Sequence, residues 1–272
     1  MLTRIISGVI GVLALVAVLV FMPAVATKVA VVVVASIALY EFYAAVLGKG
    51  KEMLKKLPLI IVGYIVGFAF MFADTTYILP VAAVGVVVTF ALLVLFYSRI
   101  TFKECTICFA GSVYIFALLR HIFMVRHLEN GKFLVFAIFI GAFITDTGAY
   151  FTGCFFGKHK LAPKLSPKKT VEGSVGGIVA TIFAFFVFAW IGNYFYRYDI
   201  SIAGIIITGV ILSVVSQLGD LAASAIKREM GIKDYGNIMP GHGGALDRFD
   251  SVLFVAPVFW YLNLFVPIFV IK

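Results

Sequence analysis

Charge is what this sequence has least of. Acids and bases together are 13% of its 272 residues, where a water-soluble domain carries roughly a quarter. That shortage excludes a soluble globular fold, because too few ionic groups remain to cover a surface. Cysteine is also scarce, at three residues. Cys105 and Cys108 form a single CxxC at the start of an apolar run, with no second pair. That argues against a zinc or redox centre, so buried thiols are expected. There is no low-complexity tail, no internal repeat and no stretch polar enough for a separate soluble domain.

What is present is apolar. Hydrophobic residues make up 63% of the chain and the mean hydropathy is +1.12. A bilayer-spanning helix needs about 20 apolar residues. Nine such runs lie near 4–22, 25–47, 58–73, 76–97, 104–124, 132–152, 174–196, 201–225 and 250–271. They predict an all-α polytopic integral membrane protein of about nine transmembrane helices. The first run ends in Ala24-Val25-Ala26, which looks like a leader-cleavage site. It is long for a leader, so a retained helix is expected. The organisation read from these runs has three parts. Residues 1–103 are N-terminal helices, 104–152 middle helices, and 153–272 a C-terminal bundle with two polar loops.

The net charge is +9. On a soluble protein it would point to nucleic acid; here the bases flank spans, and no nucleic-acid partner is expected. Of the 22 basic residues, 16 fall on the side of the N-terminus and 6 on the other. The richer side is expected to be the cytoplasm, with the chain in the inner membrane. Loops 153–173 and 226–249 then share the cytoplasmic side, where nucleoside triphosphates are.

Asp220, Glu229, Asp234, Asp247 and Asp250 crowd one C-terminal stretch of a chain with only 13 acids. Asp220 lies inside an apolar run, where an ionised carboxylate costs about 2.5–3.5 kcal/mol on insertion scales. A cation, a basic partner or water must offset that. Asp220, Ser224 and Lys227 recur at helical spacing and share one face. The stretch Pro240 to Asp250 is glycine-rich and opens the last helix, and both features suit an anion. Asp247 and Asp250 are three residues apart, on one face. Ser166-Pro167-Lys168-Lys169-Thr170-Val171-Glu172-Gly173 again sets bases and hydroxyls ahead of a helix, and Asp146 stands near a span's end. Singly, Lys168 and Lys169 read as topology lysines, Asp146 as a packing acid and His242 as a turn residue. Asp220 is functional by default. Together they suit a metal–triphosphate complex.

The segment from Ser224 to Asp250 resembles the signature of phosphatidate cytidylyltransferases, or CDP-diacylglycerol synthases. Lys227, Arg228, Lys233, Asp234, Pro240, His242, Gly243, Gly244, Asp247, Arg248 and Asp250 stand in place. Gly219-Asp220-Leu221, the loop from Ser166 to Gly173, and Asp146 to Phe151 look like the family too. Ala223, where many relatives carry Glu, and Tyr235, where Ser or Phe is common, depart from it. The resemblance implies transfer of a cytidylyl group from CTP to phosphatidate, with Mg²⁺ and a possible second cation, in a homodimer among membrane lipids. It implies catalytic roles for Asp220, Asp247, Lys227, Arg228 and His242. Substrate contacts would come from Ser166, Lys168, Lys169, Thr170, Ser224, Lys233, Gly243, Gly244 and Arg248. Metal ligands would be Asp220 and Asp247, with Asp250 and Asp146 near. Two rivals remain open. One is a transporter, weakened by the missing repeat; the other is a different CTP-using lipid enzyme.

Overall fold

The computed structural model describes residues 2–238 and 243–270. Each apolar run becomes a helix. They are α1 (Leu2–Phe21), α2 (Ala24–Leu47), α3 (Leu57–Phe72), α4 (Ile78–Leu95), α5 (Phe102–Arg126), α6 (Gly131–Phe156), α7 (Val171–Tyr196), α8 (Ile202–Glu229) and α9 (Leu246–Phe265). Among the described residues, six are long and apolar enough to cross a membrane: α2, α5, α6, α7, α8, and α4 with its leading 3-10 turn. At 21 to 28 residues and about 1.5 Å per residue, each exceeds a hydrocarbon core about 30 Å thick. Many large side chains lie exposed on them, Leu79 and Phe183 among them. The last helix ends at Phe265 rather than near 271, because Pro267 disfavours helix in the residue before it.

Two departures from a plain helical reading matter for function. Loop 153–173 holds an antiparallel hairpin of β1 (Lys160–Ala162) and β2 (Ser166–Thr170). A second short pair, β3 (Asp199–Ile200) and β4 (Phe269–Val270), lies far along the chain from it. And α5 and α6 each contain a π-helical turn, at Val113–Ala117 and Ile140–Ile144. Such turns insert a residue into the helical register and often mark functional sites; the second ends directly before Thr145 and Asp146.

The chain forms two compact units. One comprises Met1–Arg120 with Glu229–Phe249, and the other His121–Arg228 with Asp250–Lys272. These boundaries differ from the three consecutive segments expected. The reason is local to the first unit: residues 229–249 return to α2, through contacts described below.

In the first unit, Tyr43 is fully buried and donates from its hydroxyl to the carbonyl of Cys108 at 3.0 Å. Cys105 and Cys108 are buried core residues, as expected. Thr101 and Glu104 form a capping box that starts α5, and Glu104 also pairs with Lys56. Buried Arg120 donates to the carbonyls of Phe70 and Ala73, satisfying acceptors at the end of α3.

In the second unit, α6 and α7 approach closely through small residues. Gly148 faces Ala180, Gly176 faces Thr152, and the hydroxyls of Thr145 and Thr181 meet at 2.7 Å. Close backbone approach is how helices in lipid gain dispersion contact. Gly176, a few residues after Lys169, therefore serves helix packing. A side chain at Gly176 would overlap Thr152. Gly176→Val is expected to cost about 1–3 kcal/mol, read as a lower thermal unfolding midpoint in detergent. Gly11→Val is expected to leave that midpoint in place, since a Cβ there meets nothing within 4 Å.

Candidate active site

In the second unit the predicted residues gather around Asp220 on α8. Lys169 Nζ lies 2.5 Å from its Oδ2. This is the basic partner that an acid in an apolar helix requires. Ser224 donates from its hydroxyl to Asp220 Oδ1 at 3.4 Å, so the expected shared face of α8 is real. Strand geometry explains why Lys169 and not Lys168 is used. Successive side chains of β2 point to opposite sides; Lys168 is exposed, whereas Lys169 is partly buried.

Asp250 is buried and lies within electrostatic reach of Asp220, Asp146 and Lys227. Its Oδ1 accepts the Ser251 N–H at 2.7 Å, and the Ser251 hydroxyl donates to Asp146 Oδ2 at 3.3 Å. Three acids from α6, α8 and α9 are thus neighbours, with Lys169 and Lys227 as counter-charges. Lys227 is buried and Arg228 exposed at the end of α8.

The hairpin that carries Lys169 is anchored from both ends. Thr170 is buried and accepts the Gly173 N–H at 3.1 Å, capping α7. Glu172 accepts the backbone N–H of Lys158 and His159, and its carboxylate meets His159 Nδ1 at 2.6 Å. Thr170, expected to touch substrate, therefore has a structural duty. Ser166 sits in β2 opposite Ala162, partly buried.

In the first unit, Asp247 occupies the first turn of α9. Its Oδ2 accepts the N–H of Tyr235 at 2.8 Å and of Gly244 at 3.0 Å. Glu41, from α2, accepts the N–H of Ala245 at 3.1 Å and of Leu246 at 2.9 Å. The N–H groups of Gly244, Ala245 and Leu246, where α9 begins, are thus bound by two carboxylates of the chain itself. Gly243 and Gly244 admit those carboxylates: a Cβ on Gly243 would come 2.9 Å from Asp247 Oδ2, and one on Gly244 would overlap Glu41. Gly243 also has φ +83°, which favours glycine.

Tyr235, a departure from the family pattern, is buried with its ring 6.5 Å from that of Phe42. Ala223 is fully buried on α8. Lys233, Asp234 and Arg248 are exposed. His242 and Pro240 lie outside the described residues. Glu41 is the residue that sequence reasoning missed. Its signal was present, an acid in the apolar run Tyr40-Glu41-Phe42, but its partners are more than 200 positions away.

The donor set can be tested against a divalent cation. Asp146, Asp220 and Asp250 supply hard oxygen atoms, which Mg²⁺ takes, and three acids exceed their two lysine counter-charges. Among the described residues no three His, Cys, Asp or Glu side chains enclose a point by themselves. Mg²⁺ ordinarily takes one or two carboxylates and completes its shell with water and substrate phosphates. These residues therefore fit it.

Residues 2–266 match the cytidylyltransferase family. A Bacillus subtilis protein named phosphatidate cytidylyltransferase is 39% identical over 196 residues, which is 72% of this chain and 71% of that one. Proteins of the same name from Staphylococcus saprophyticus and Haemophilus influenzae are 40% and 45% identical. Those matches cover 59% and 50% of this chain, and 60% and 48% of theirs. With nearly its whole length matched and the acid–lysine cluster assembled around Asp220, the chain belongs to the cytidylyltransferase family.

Proposed function

We infer that this protein transfers the cytidylyl group of CTP to phosphatidate, giving CDP-diacylglycerol and pyrophosphate for phospholipid biosynthesis. The observation that carries the reading, beside family membership, is the Asp220–Lys169 pair set among Asp146, Asp250 and Lys227. A chain that buries so much charge in an apolar bundle has a use for it.

A phosphate oxygen of the lipid attacks the α-phosphorus of CTP in line. The new P–O bond forms as the bond to the β-phosphate breaks, and pyrophosphate leaves. A phosphate monoester dianion needs no strong base, so the protein's task is positioning and charge neutralisation. Lys169 and Lys227 face the acids, and Lys168, Arg228, Lys233 and Arg248 would contact phosphate oxygens. Asp220, Asp250 and Asp146 would hold Mg²⁺, which when bound neutralises charge on the phosphates. A second cation remains part of the reading, as does a phosphate-orienting role for His242. The catalytic and metal-binding roles expected of Asp247 stay part of the reading.

The same reading places the active side in the cytoplasm, with the N-terminus there and about nine spans in the inner membrane. The 16-to-6 division of basic residues supports it. The acyl chains stay in the bilayer while the headgroup reaches the cations. The homodimer is carried as the family's expectation.

The test is turnover by purified protein in detergent, with phosphatidate, Mg²⁺ and each nucleoside triphosphate in turn. CTP alone is expected to give pyrophosphate together with a CDP-lipid. Folded protein that turns over none of the four would sink the reading. Asp220→Asn and Lys169→Met are each expected to lower kcat/KM by about 100-fold or more, the scale of losing a positioned charge in a dry site. Chelation with EDTA should abolish turnover, and Mg²⁺ should restore it; unimpaired turnover in EDTA would remove the metal from the proposal.

A further inference from the structure

We propose that Glu41 is a positioning residue for this reaction, acting through the glycine turn that carries Asp247 and Arg248; the inference rests on the cytidylyltransfer reading. Glu41 is 2% exposed, on a mostly apolar helix whose one other charged residue is Lys28. A buried carboxylate is costly unless hydrogen-bonded. This one receives two backbone N–H groups, one on each oxygen, at 3.1 and 2.9 Å. Both donors belong to the start of α9, where negative charge is favoured by the helix dipole. The acid and the helix start thus satisfy each other.

Two glycines lie against this carboxylate. A Cβ on Gly236 or on Gly244 would overlap Glu41. Asp247 in turn accepts the N–H of Tyr235 and of Gly244. Phe42, the next residue of α2, lies near the Tyr235 ring. Two carboxylates and four N–H groups therefore fix both ends of the turn. Asp247 and Arg248 follow Leu246 directly, so an error at Ala245 and Leu246 is passed to them through one helical turn. A chain fold that needed only stability there would be served by an apolar residue and a conventional cap. The bidentate carboxylate instead fixes the direction of the helix start.

Glu41→Gln keeps the size but offers only one acceptor oxygen, so one N–H loses its partner. The variant is expected to remain folded, with kcat per folded molecule lowered about 10- to 100-fold, the cost of a displacement on the ångström scale. KM for CTP and for phosphatidate should stay within about twofold. A purely structural role would lower the yield or melting temperature and leave kcat per folded molecule unchanged; that result overturns the proposal. Glu41→Gln and Gly244→Ala should combine non-additively, since both act on one contact, and additive losses overturn it as well. Amide hydrogen exchange across residues 243–249 supplies a readout that needs no turnover. It should quicken in Glu41→Gln, and unchanged protection overturns the proposal even in a protein that makes no CDP-lipid. Wild-type protein lacking CTP turnover, with exchange that does quicken, would instead sink the reaction while keeping the Glu41 contact.

Discussion

A carboxylate inside an apolar helical bundle has no water to satisfy it, and nearly every feature around this protein's acids follows from that. Removing an ionised acid from water costs several kcal/mol unless it is paired or hydrogen-bonded. The acids solve the problem in different ways. Asp220 takes a lysine from a hairpin. Asp247 and Glu41 take backbone N–H groups from a turn and a helix start. Asp250 uses the amide of its own neighbour, and Asp146 that neighbour's hydroxyl. Each solution dictates local structure. The hairpin must deliver Lys169, so its ends are fixed by Thr170 and Glu172. The turn before α9 must bring its N–H groups to Asp247 and Glu41, so glycine stands where a side chain would intrude.

This changes how a glycine-rich basic stretch should be read. Glycines beside lysines suggest amides open to a phosphate. Here the amides of Gly244, Ala245 and Leu246 are bound to carboxylates of the chain, and Gly176 is bound into helix packing. The arrangement is physically sensible, because an internal carboxylate holds the turn in one shape before substrate arrives. Preorganised charge needs no rearrangement at the moment of reaction.

The nine apolar runs were legible because lipid imposes length and hydropathy on each helix separately, with no knowledge of its neighbours. Their ends shifted by a few residues where local chemistry intervened, as Pro267 did at α9. The Asp220, Ser224 and Lys227 face was legible for the same local reason, since helical spacing alone defines it. Glu41 was not. Its importance depends on a contact across most of the chain, and a single acid in an apolar run names no partner. Nor was the hairpin, since its short strand Ser166–Thr170 carries proline and two lysines and has no apolar alternation. The π-turns leave no mark in composition. They show only as inserted residues, one of them directly before Thr145 and Asp146.

The structure also refines what a count of basic residues measures. The positive-inside rule treats each lysine and arginine as a label of topology. Several here have other work. On the richer side, Lys56 pairs with Glu104, Lys169 with Asp220, and Lys227 is buried near Asp250. On the poorer side, Arg120 closes the end of α3, and Arg126 is buried as well. Those residues are held by the fold and would stay where they are whatever the potential across the bilayer. In the topology expected from sequence, setting them aside removes charge from both sides and leaves the expected imbalance in place, carried by exposed residues such as Lys49, Lys51, Lys158, Lys160 and Lys164. Those side chains meet water and lipid headgroups, and they are the ones the rule describes.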